Sequence, residues 1–325
     1  MIDNTVIMEA CARFEADPAS VHPLAGGTFT AVFGCRAAGR DCVLRILPGE
    51  QAELLSATLS WLDFLWQREA PVARPLRSPA GKLVEPLEAG VGGFVAHLLE
   101  KAPGVLAENL PAETWNEGLF EAIGRATGRF HALSEQYQPS AGDPRRPTWQ
   151  GENEAFLSGE YHRALPPALQ ALNLRLTAEM LALPCGNEDF GLVHGDLHFA
   201  NFFVDHERIT IFDFDDSCYG WYALDAAMIL FDVLVLYPGE DKEAFAQRFL
   251  RAFLRGYRSQ RAFSTFWLQQ MPLLLKIQEL WIFALLLPEE QDWEPGSWPA
   301  KFMPGRRARL EAGQPYVNVD FNQMV

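Results

Sequence analysis

Residues 192–216 constrain the fold of this chain more than any other stretch. They read LVHGDLHFANFFVDHERITIFDFDD, in which apolar residues lead into a polar loop and two short strands joined by a turn follow. Side chains alternate between the two faces of a strand. Ile209, Ile211, Asp213 and Asp215 are therefore predicted to share one face of the second strand, with both carboxylates on the same side.

The polar residues of this stretch have the spacing expected of a phosphoryl-transfer loop. Asn201 follows Asp196 by five positions, and the second strand delivers Asp213. Transfer of a nucleotide's terminal phosphoryl group requires a carboxylate that orients the acceptor hydroxyl, and oxygen ligands that hold Mg²⁺ against the phosphates. Asp196 suits the first role. Asn201, Asp213 and the neighbouring Asp215 suit the second.

Two motifs in the stretch, HGDLHFAN and IFDFDD, resemble the H-R-D-x-x-x-x-N and D-F-G elements of protein kinases. Gly195 replaces the arginine and Asp215 replaces the glycine. Both changes make the chain similar to the aminoglycoside phosphotransferase and choline kinase superfamily, and most of all to its branch of type II homoserine kinases and bacterial stress-response and spore-coat kinases. The resemblance extends over nearly the whole chain and is most specific at residues 194–225. It implies a protein-kinase-like α+β fold with two lobes.

The length of 325 residues suits two such lobes. The resemblance divides them into a sheet-rich nucleotide-binding lobe at residues 1–99, a hinge at residues 100–104, and a mainly helical lobe at residues 105–325 that contains the catalytic loop and the metal site. At the hinge, an adenine ring would take backbone hydrogen bonds near Leu99 to Lys101.

The small lobe is predicted to contain three early strands joined by glycine-bearing turns. Gly26 and Gly27 would let the backbone approach nucleotide phosphates closely, although a plain hairpin turn has the same composition. Arg45, in the third strand, stands where kinases have the lysine that contacts these phosphates. It would point into the cleft if Leu44 and Ile46 point into the core of the lobe.

The helix predicted over residues 51–66 departs from the superfamily pattern. In relatives it supplies a glutamate to the basic residue of the third strand, but here Thr58 stands at that position and Glu53 is the nearest acidic residue. Arg45 is therefore expected to be held by another acid, with Glu53 the nearest candidate in the sequence, or by the nucleotide alone.

Further roles follow from the resemblance. Asp225 matches an aspartate that braces the catalytic loop, and His194 would brace the backbone of the same loop. His131, in a helix of the second lobe, is interpreted as a packing or capping residue. His198 stands where protein kinases have a lysine, and its role stays open.

Composition excludes several classes of function. A net charge of −15 argues against a nucleic-acid partner, which needs clustered Lys and Arg. The charge is compatible with a cationic acceptor, although solubility alone accounts for an acidic surface. The longest apolar runs are too short to span a membrane. Five cysteines without paired metal spacing, and no secretory signal, indicate reduced thiols in a cytoplasmic protein.

The sequence thus predicts an enzyme that moves the γ-phosphoryl group of ATP, with Mg²⁺, to a hydroxyl of a small molecule such as an amino alcohol, an aminoglycoside, homoserine or a sugar. A stress-response-type Ser/Thr protein kinase is one alternative, but no Ala-Pro-Glu-type anchor follows Asp216. A nucleotide-binding regulator without catalysis is another. The presence of Asp196, Asn201 and Asp213 argues against it.

Overall fold

In the computed structural model, residues 2–24, 31–89, 93–289 and 293–324 are described, and they group into two units. The first unit comprises Met1–Gly104, Gln136–Arg146 and Thr210–Asp215. The second comprises Val105–Glu135, Pro147–Ile209 and Asp216–Val325. Gly26 and Gly27 lie outside the described residues, so their predicted phosphate contacts stay a prediction.

The first unit is rich in β-structure. Its elements are α1 (Asn4–Phe14), β1 (Ala16–Pro23), β2 (Ala31–Ala37), β3 (Arg40–Pro48), α2 (Ala52–Gln67), β4 (Pro75–Leu76), β5 (Glu85–Leu87) and β6 (Phe94–Glu100). In the described part of the unit, the six strands pair antiparallel in one sheet. β3 pairs with β2 and β6, and β6 pairs on its other side with β4 and β5.

One face of this sheet is buried against α1. Leu44 and Ile46 of β3 pack with Ala96 and Leu98 of β6, and Val6 of the helix belongs to the same core cluster. Because side chains alternate along a strand, the residue between Leu44 and Ile46 must face the opposite side. Leu44 and Ile46 thus point into the core, which is the condition set by the prediction for Arg45, while the position of Arg45 in a cleft stays a prediction.

The segment Thr210–Asp215 is attached to the first unit by its backbone. The N–H of Ile211 donates to the carbonyl of Pro71, and the N–H of Ala73 donates to the carbonyl of Ile211, each at 2.8 Å. Phe214 is buried, and its ring meets that of Trp61 edge to face with centroids 5.3 Å apart. These contacts fix the position of the two carboxylates that flank Phe214.

The rest of the chain is mainly helical. Its elements are β7 (Val105–Leu106), α3 (Glu117–Ser134), α4 (Trp149–Ser158), α5 (Glu160–Ala164), α6 (Pro167–Leu181), β8 (Phe190–Val193), β9 (Phe202–Asp205), β10 (Arg208–Ile211), β11 (Cys218–Trp221), α7 (Tyr222–Leu236), α8 (Lys242–Arg258), α9 (Thr265–Leu286), α10 (Trp298–Phe302) and α11 (Arg306–Glu311). A sheet-rich N-terminal part and a helical C-terminal part confirm the predicted α+β class.

Helices α3 and α8 touch through their backbones. A Cβ atom on Gly124 would lie 1.9 Å from the carbonyl oxygen of Phe253, and one on Gly256 would lie 1.9 Å from that of Glu121. Only glycine allows this separation. The close contact fixes α3, which carries His131 next to Asp225 of α7. Among the described helices, none combines the length and the apolar character that a membrane crossing requires.

Candidate active site

The predicted catalytic loop connects β8 to β9 and includes a short 3₁₀ turn, Phe199–Asn201. Gly195 adopts a left-handed conformation with φ of 85°, and a Cβ atom there would lie 2.2 Å from the carbonyl oxygen of Asp216. A larger residue would push the loop away from the Asp216 backbone. This explains why glycine stands where protein kinases have an arginine.

Asp225, in the first turn of α7, holds the start of the loop. Its two carboxylate oxygens accept hydrogen bonds from the backbone N–H groups of His194 at 2.8 Å and of Gly195 at 3.0 Å. The bracing role that the sequence assigns to Asp225 is therefore confirmed. Asp225 is fully buried, so these hydrogen bonds are shielded from water.

His131 supports Asp225 from the opposite side. Its Nε2 lies 2.9 Å from Oδ2 of Asp225, and its Nδ1 lies 3.0 Å from the hydroxyl of Tyr257. Burial lowers the pKa of His131, although the neighbouring Asp225 acts in the opposite direction. A neutral ring that donates from Nε2 and accepts from the tyrosine at Nδ1 satisfies both contacts. His131 is a buried support of the loop, as the packing interpretation requires.

Asp196 is surrounded by hydrogen-bond donors. Nε2 of His198 lies 3.2 Å from its Oδ2, and Nδ2 of Asn201 donates to its backbone carbonyl at 2.8 Å and to Oδ2 at 3.3 Å. Burial raises the pKa of Asp196, but the hydrogen bond and charge of His198, helped by His194 and Asn201, lower it further than burial raises it. Asp196 is therefore a carboxylate at neutral pH, and a third of its side chain remains exposed to receive a substrate group.

His198 donates a hydrogen bond to Asp196 whether its ring is neutral or charged. Burial lowers its pKa, but the hydrogen bond and charge of Asp196, with the charges of Asp232 and Glu108, raise it to about 9. The N–H of Ala200 points at Nδ1 from 3.2 Å, a contact that favours the neutral ring protonated at Nε2. Both forms have a proton on Nε2, so both donate to Asp196.

In the first unit, Arg45 joins the two carboxylates of the IFDFDD motif. Its Nη1 lies 3.2 Å from Oδ1 of Asp213 and 3.0 Å from Oδ1 of Asp215, and its Nη2 lies 2.5 Å from Oδ2 of Asp215. Only 8% of Arg45 is exposed. Burial lowers the pKa of its guanidinium, but the two carboxylates raise it further, so Arg45 stays charged.

The acid that holds Arg45 is not the one that the sequence suggested. Glu53 is exposed in the first turn of α2 and forms no ion pair within the described residues. Thr58 is buried, and its hydroxyl donates to the carbonyl of Leu54. The expectation of Glu53 as the nearest partner was wrong, because the pairing comes from residues far along the chain.

The predicted shared strand face is also corrected. β10 ends at Ile211, Asp213 has a left-handed φ of 63°, and Phe214–Asp216 form a 3₁₀ turn. The alternation of Ile209 and Ile211 therefore does not extend to the aspartates. Asp213 and Asp215 still meet, because the turn directs both side chains to Arg45.

The hinge residues are partly engaged within the chain. Leu99 is a buried residue of β6, the N–H of Glu100 donates to the carbonyl of Arg74, and the N–H of Lys101 donates to that of Asp41 at 3.0 Å. The N–H of Lys101 is thus occupied within the chain, and the adenine contacts predicted near Leu99 to Lys101 stay a prediction. Ala102 has the next backbone N–H, and within the described residues that group donates to nothing.

A pocket of about 1030 Å³ opens beside Asp196 in the second unit. Its lining includes Asp196 and His198 of the loop, Asp232 of α7, and aromatic side chains of α4 and α9. Sequence reasoning missed Asp232, which is buried and accepts the N–H of Phe199 at 2.8 Å. A carboxylate inside the apolar run AAMILFDVLVLY was the signal that could have found it.

Comparisons with known proteins place these motifs in a family. Residues 20–263 match the phosphotransferase enzyme family. The chain is 32% identical to amicoumacin kinase of Bacillus subtilis (strain 168) over 328 residues, which is 99% of this chain and 96% of the relative.

Solved structures agree with this match. An amicoumacin kinase in complex with AMP-PNP, Ca²⁺ and Ami superposes with a TM-score of 0.88 and 28% identity, and covers 100% of this chain and 98% of that one. A microcompartment-associated aminopropanol kinase superposes with a TM-score of 0.74 over 95% of this chain and 96% of its own. At 20% identity, that second likeness bears on the fold alone.

Together these findings confirm the predicted kinase-like fold and the predicted superfamily. The enzyme is a small-molecule kinase, and kinases of its family use ATP with a divalent metal ion. The chain belongs to the phosphotransferase enzyme family.

Proposed function

We propose that this kinase transfers the γ-phosphoryl group of ATP to a hydroxyl of its small-molecule acceptor, and that Asp196 orients that hydroxyl. One observation supports the proposal above all. Asp196 is an ionised, partly exposed carboxylate on a loop braced by Asp225, and it lines a pocket large enough for an organic acceptor.

The lowered pKa of Asp196 suits a particular role. In phosphoryl transfer the bond to the leaving group is largely broken before the acceptor oxygen has lost its proton, so a strong base is not needed. Asp196 would accept a hydrogen bond from the hydroxyl and hold its oxygen in line. The proton moves to the carboxylate as the new ester bond completes, while His198 and Asn201 keep that carboxylate in place.

The donor set of this chain suits a divalent ion of the Mg²⁺ type, which binds oxygen and typically takes one or two protein carboxylates besides phosphates and water. Asp213 and Asp215 provide two carboxylates in the first unit. Nδ2 of Asn201 is occupied by Asp196, which leaves its amide oxygen for a cation. Within the described residues, no group of three or more His, Cys, Asp or Glu is placed to hold a metal ion.

The bound metal ion would neutralise phosphate charge and keep the phosphates in place. Arg45 would add a second positive charge, since a guanidinium binds phosphate oxygens through two donors. Asp213 and Asp215, which would hold the metal ion, are also the carboxylates that pair with Arg45. Arg45 would therefore share these carboxylates with the metal ion and turn its remaining donors to the nucleotide phosphates.

Mass spectrometry tests the proposal directly. The enzyme is incubated with Mg-ATP and, in separate reactions, with amicoumacin, aminopropanol, homoserine and hygromycin B. We expect at least one acceptor to gain one phosphoryl group, attached to a hydroxyl as located by fragmentation. Phosphorylation of an amine, or phosphorylation of none of these or of a wider amino alcohol panel despite ATP binding, would contradict the proposal.

A further inference from the structure

A buried histidine, His97 of strand β6, lies beside Arg45. The two residues stand directly opposite each other in the antiparallel pairing of β3 with β6. Residues in that arrangement have Cβ atoms roughly 4.5–5.5 Å apart on the same face of the sheet. Ala96 and Leu98, which flank His97, belong to the core around α1. His97 therefore projects from the opposite face, together with Arg45.

Three buried nitrogen atoms of this pair have no hydrogen-bond partner within the described residues. They are Nε of Arg45 and both ring nitrogens of His97. His97 is only 2% exposed, so bulk water does not supply the missing contacts. Buried polar groups in folded proteins are almost always hydrogen bonded. Unpaired atoms on two adjacent side chains therefore indicate a contact that forms in another state of the enzyme.

The two side chains are chemically complementary. The guanidinium of Arg45 has only donors, whereas a neutral imidazole has one nitrogen that accepts and one that donates. Burial, with the nearby charge of Arg45, lowers the pKa of His97 to about 3, so its ring is neutral at neutral pH. One ring nitrogen can then accept Nε–H of Arg45. The other can donate to the carboxylate of Asp215, whose charge acts on the same ring.

The other donors of Arg45 already have partners, and helix α2 provides none for Nε. Both Nη atoms pair with Asp213 and Asp215. Thr58 of α2, at the position where relatives have a glutamate, donates its hydroxyl to a carbonyl of its own helix. Among the residues that the structure describes, Nε is thus the part of the guanidinium that still needs an acceptor.

A hydrogen bond at Nε would orient Arg45 without occupying the atoms that bind phosphate. The two Nη atoms lie at the end of the guanidinium fork and can be divided between carboxylate and phosphate oxygens. An acceptor at Nε would hold the fork from behind. His97 suits this task, because β6 is paired on both sides and its backbone is held in the sheet.

We propose that His97 is a positioning residue for Arg45: in the nucleotide-bound enzyme, a ring nitrogen of His97 accepts Nε–H of Arg45 and replaces the helix glutamate of relatives. The two backbones are already paired, so the contact requires only side-chain rotation, a common change on ligand binding. The inference rests on the proposed function for the role of Arg45 at the phosphates. It goes beyond that function because it assigns a role to a residue outside both sequence motifs.

Calorimetry with AMP-PNP and Mg²⁺ tests the inference without an acceptor molecule. We expect His97→Leu, which has no acceptor atom, to raise the Kd about tenfold, the scale of one hydrogen bond to a charged group. His97→Gln provides an amide oxygen and should restore the Kd to within about threefold of the parent value. Val95→Ala is the matched control, because it alters packing on the same face of β6 and should leave the Kd unchanged.

A second background isolates the contact. Arg45→Lys removes Nε, so adding His97→Leu to it should change the Kd by less than about twofold. Thermal unfolding separates positioning from a purely structural role. At pH 7, His97→Leu should have a Tm no lower than the parent without nucleotide, but a smaller rise in Tm when AMP-PNP and Mg²⁺ are added.

Three results would overturn the inference. They are a parental Kd for His97→Leu, equally weak binding by His97→Leu and His97→Gln, and a full tenfold effect of His97→Leu in the Arg45→Lys background. Failure of the proposed function is seen separately, since mass spectrometry reports phosphoryl transfer and Arg45→Ala reports the role of Arg45. Weaker binding by Arg45→Ala beside unchanged binding by His97→Leu would reject the role of His97 and retain that of Arg45.

Discussion

At the scale of single residues, Arg45 is paired with the IFDFDD motif, because its guanidinium bridges Asp213 and Asp215. Under the proposed function, the same guanidinium also offers charge to nucleotide phosphates. Lysine has its three donors on a single nitrogen, so it lacks the planar fork that lets Nη1 and Nη2 of Arg45 contact both oxygens of Asp215. This geometry accounts for an arginine at a position where kinases use lysine.

We expect Arg45→Ala to raise the apparent KM for ATP clearly and Arg45→Lys to restore part of the loss. Arg36→Ala is the control, because Arg36 is an exposed residue of the neighbouring strand that pairs only loosely with Asp41 at 3.5 Å. Steady-state kinetics on the three variants provide the comparison. ATP parameters for Arg45→Ala that match those of the parent would show that the residue has no part in nucleotide binding.

His97 lies opposite Arg45 on the adjacent strand and is buried, and neither ring nitrogen has a hydrogen-bond partner within the described residues. Burial, with the nearby charge of Arg45, lowers its pKa to about 3. In the unfolded chain the ring titrates near 6.5, so the unfolded state binds the proton first. Its contribution to stability is complete above about pH 6.5 and is lost as pH falls toward 3.

The expected loss is about 1.4 kcal/mol in the free energy of unfolding per pH unit within that window. His97→Leu removes the titrating group with little change in volume. Between about pH 7 and 4.5, the free energy of unfolding of the variant should therefore fall by roughly 2–3 kcal/mol less than that of the parent. Urea titrations at both pH values measure this difference. The exposed control His206→Asn should behave like the parent, and a parallel decline of parent and His97→Leu would contradict the assignment.

At the scale of elements, helix α7 braces the catalytic loop at two points. Asp225 and Asp232 are separated by two helical turns, so they lie on the same face. Asp225 binds the N–H groups at the start of the loop, and Asp232 binds the N–H of Phe199 further along. The other oxygen of Asp232 accepts Nε1–H of Trp298 at 2.7 Å. Asp232 thereby connects α10 to the loop.

Asp232→Asn should loosen the loop although the side chain keeps its shape. The N–H of Phe199 and Nε1–H of Trp298 each donate to one oxygen of the carboxylate. An asparagine amide has only one oxygen, so one of these donors would face the amide NH₂ group, which is itself a donor. We expect kcat to fall about tenfold with little change in the KM for ATP, and stability to fall by about 1–3 kcal/mol. Trp298→Phe removes one donor and should restore part of kcat in the Asp232→Asn background. Additive losses in that double variant would rule out the shared contact. Asp205→Asn, at a partly exposed aspartate, is the control.

Prediction from sequence succeeded where function depends on residues close together in the chain. The loop from Asp196 to Asn201 and its brace Asp225 follow from fixed spacings, and the structure joins them by hydrogen bonds. It failed at the end of β10, because the alternation of Ile209 and Ile211 does not reveal a left-handed residue at Asp213. Prediction also failed for the partner of Arg45. Asp213 and Asp215 lie 168 and 170 positions further along the chain, and no local pattern relates residues at such separations.

At the scale of the whole molecule, the order of motifs along the chain was enough to predict the fold class and the family. The acceptor pocket was beyond such prediction. Its walls come from α4, α5, α7, α9 and α10, which no sequence spacing relates to one another. The apolar stripes of α9 read as core, and only packing shows that Trp281 lines a pocket.

The most direct test of this account compares the parent enzyme with Asp196→Asn, using an acceptor validated by mass spectrometry. The change preserves shape and removes the carboxylate that orients the hydroxyl. We predict that kcat falls by about 10²–10⁴ while the Kd for Mg-ATP, measured by calorimetry, stays the same. Asp205→Asn, at a partly exposed aspartate of the same unit, should leave both quantities unchanged. A kcat for Asp196→Asn within a few fold of the parent would contradict the central claim that Asp196 directs phosphoryl transfer.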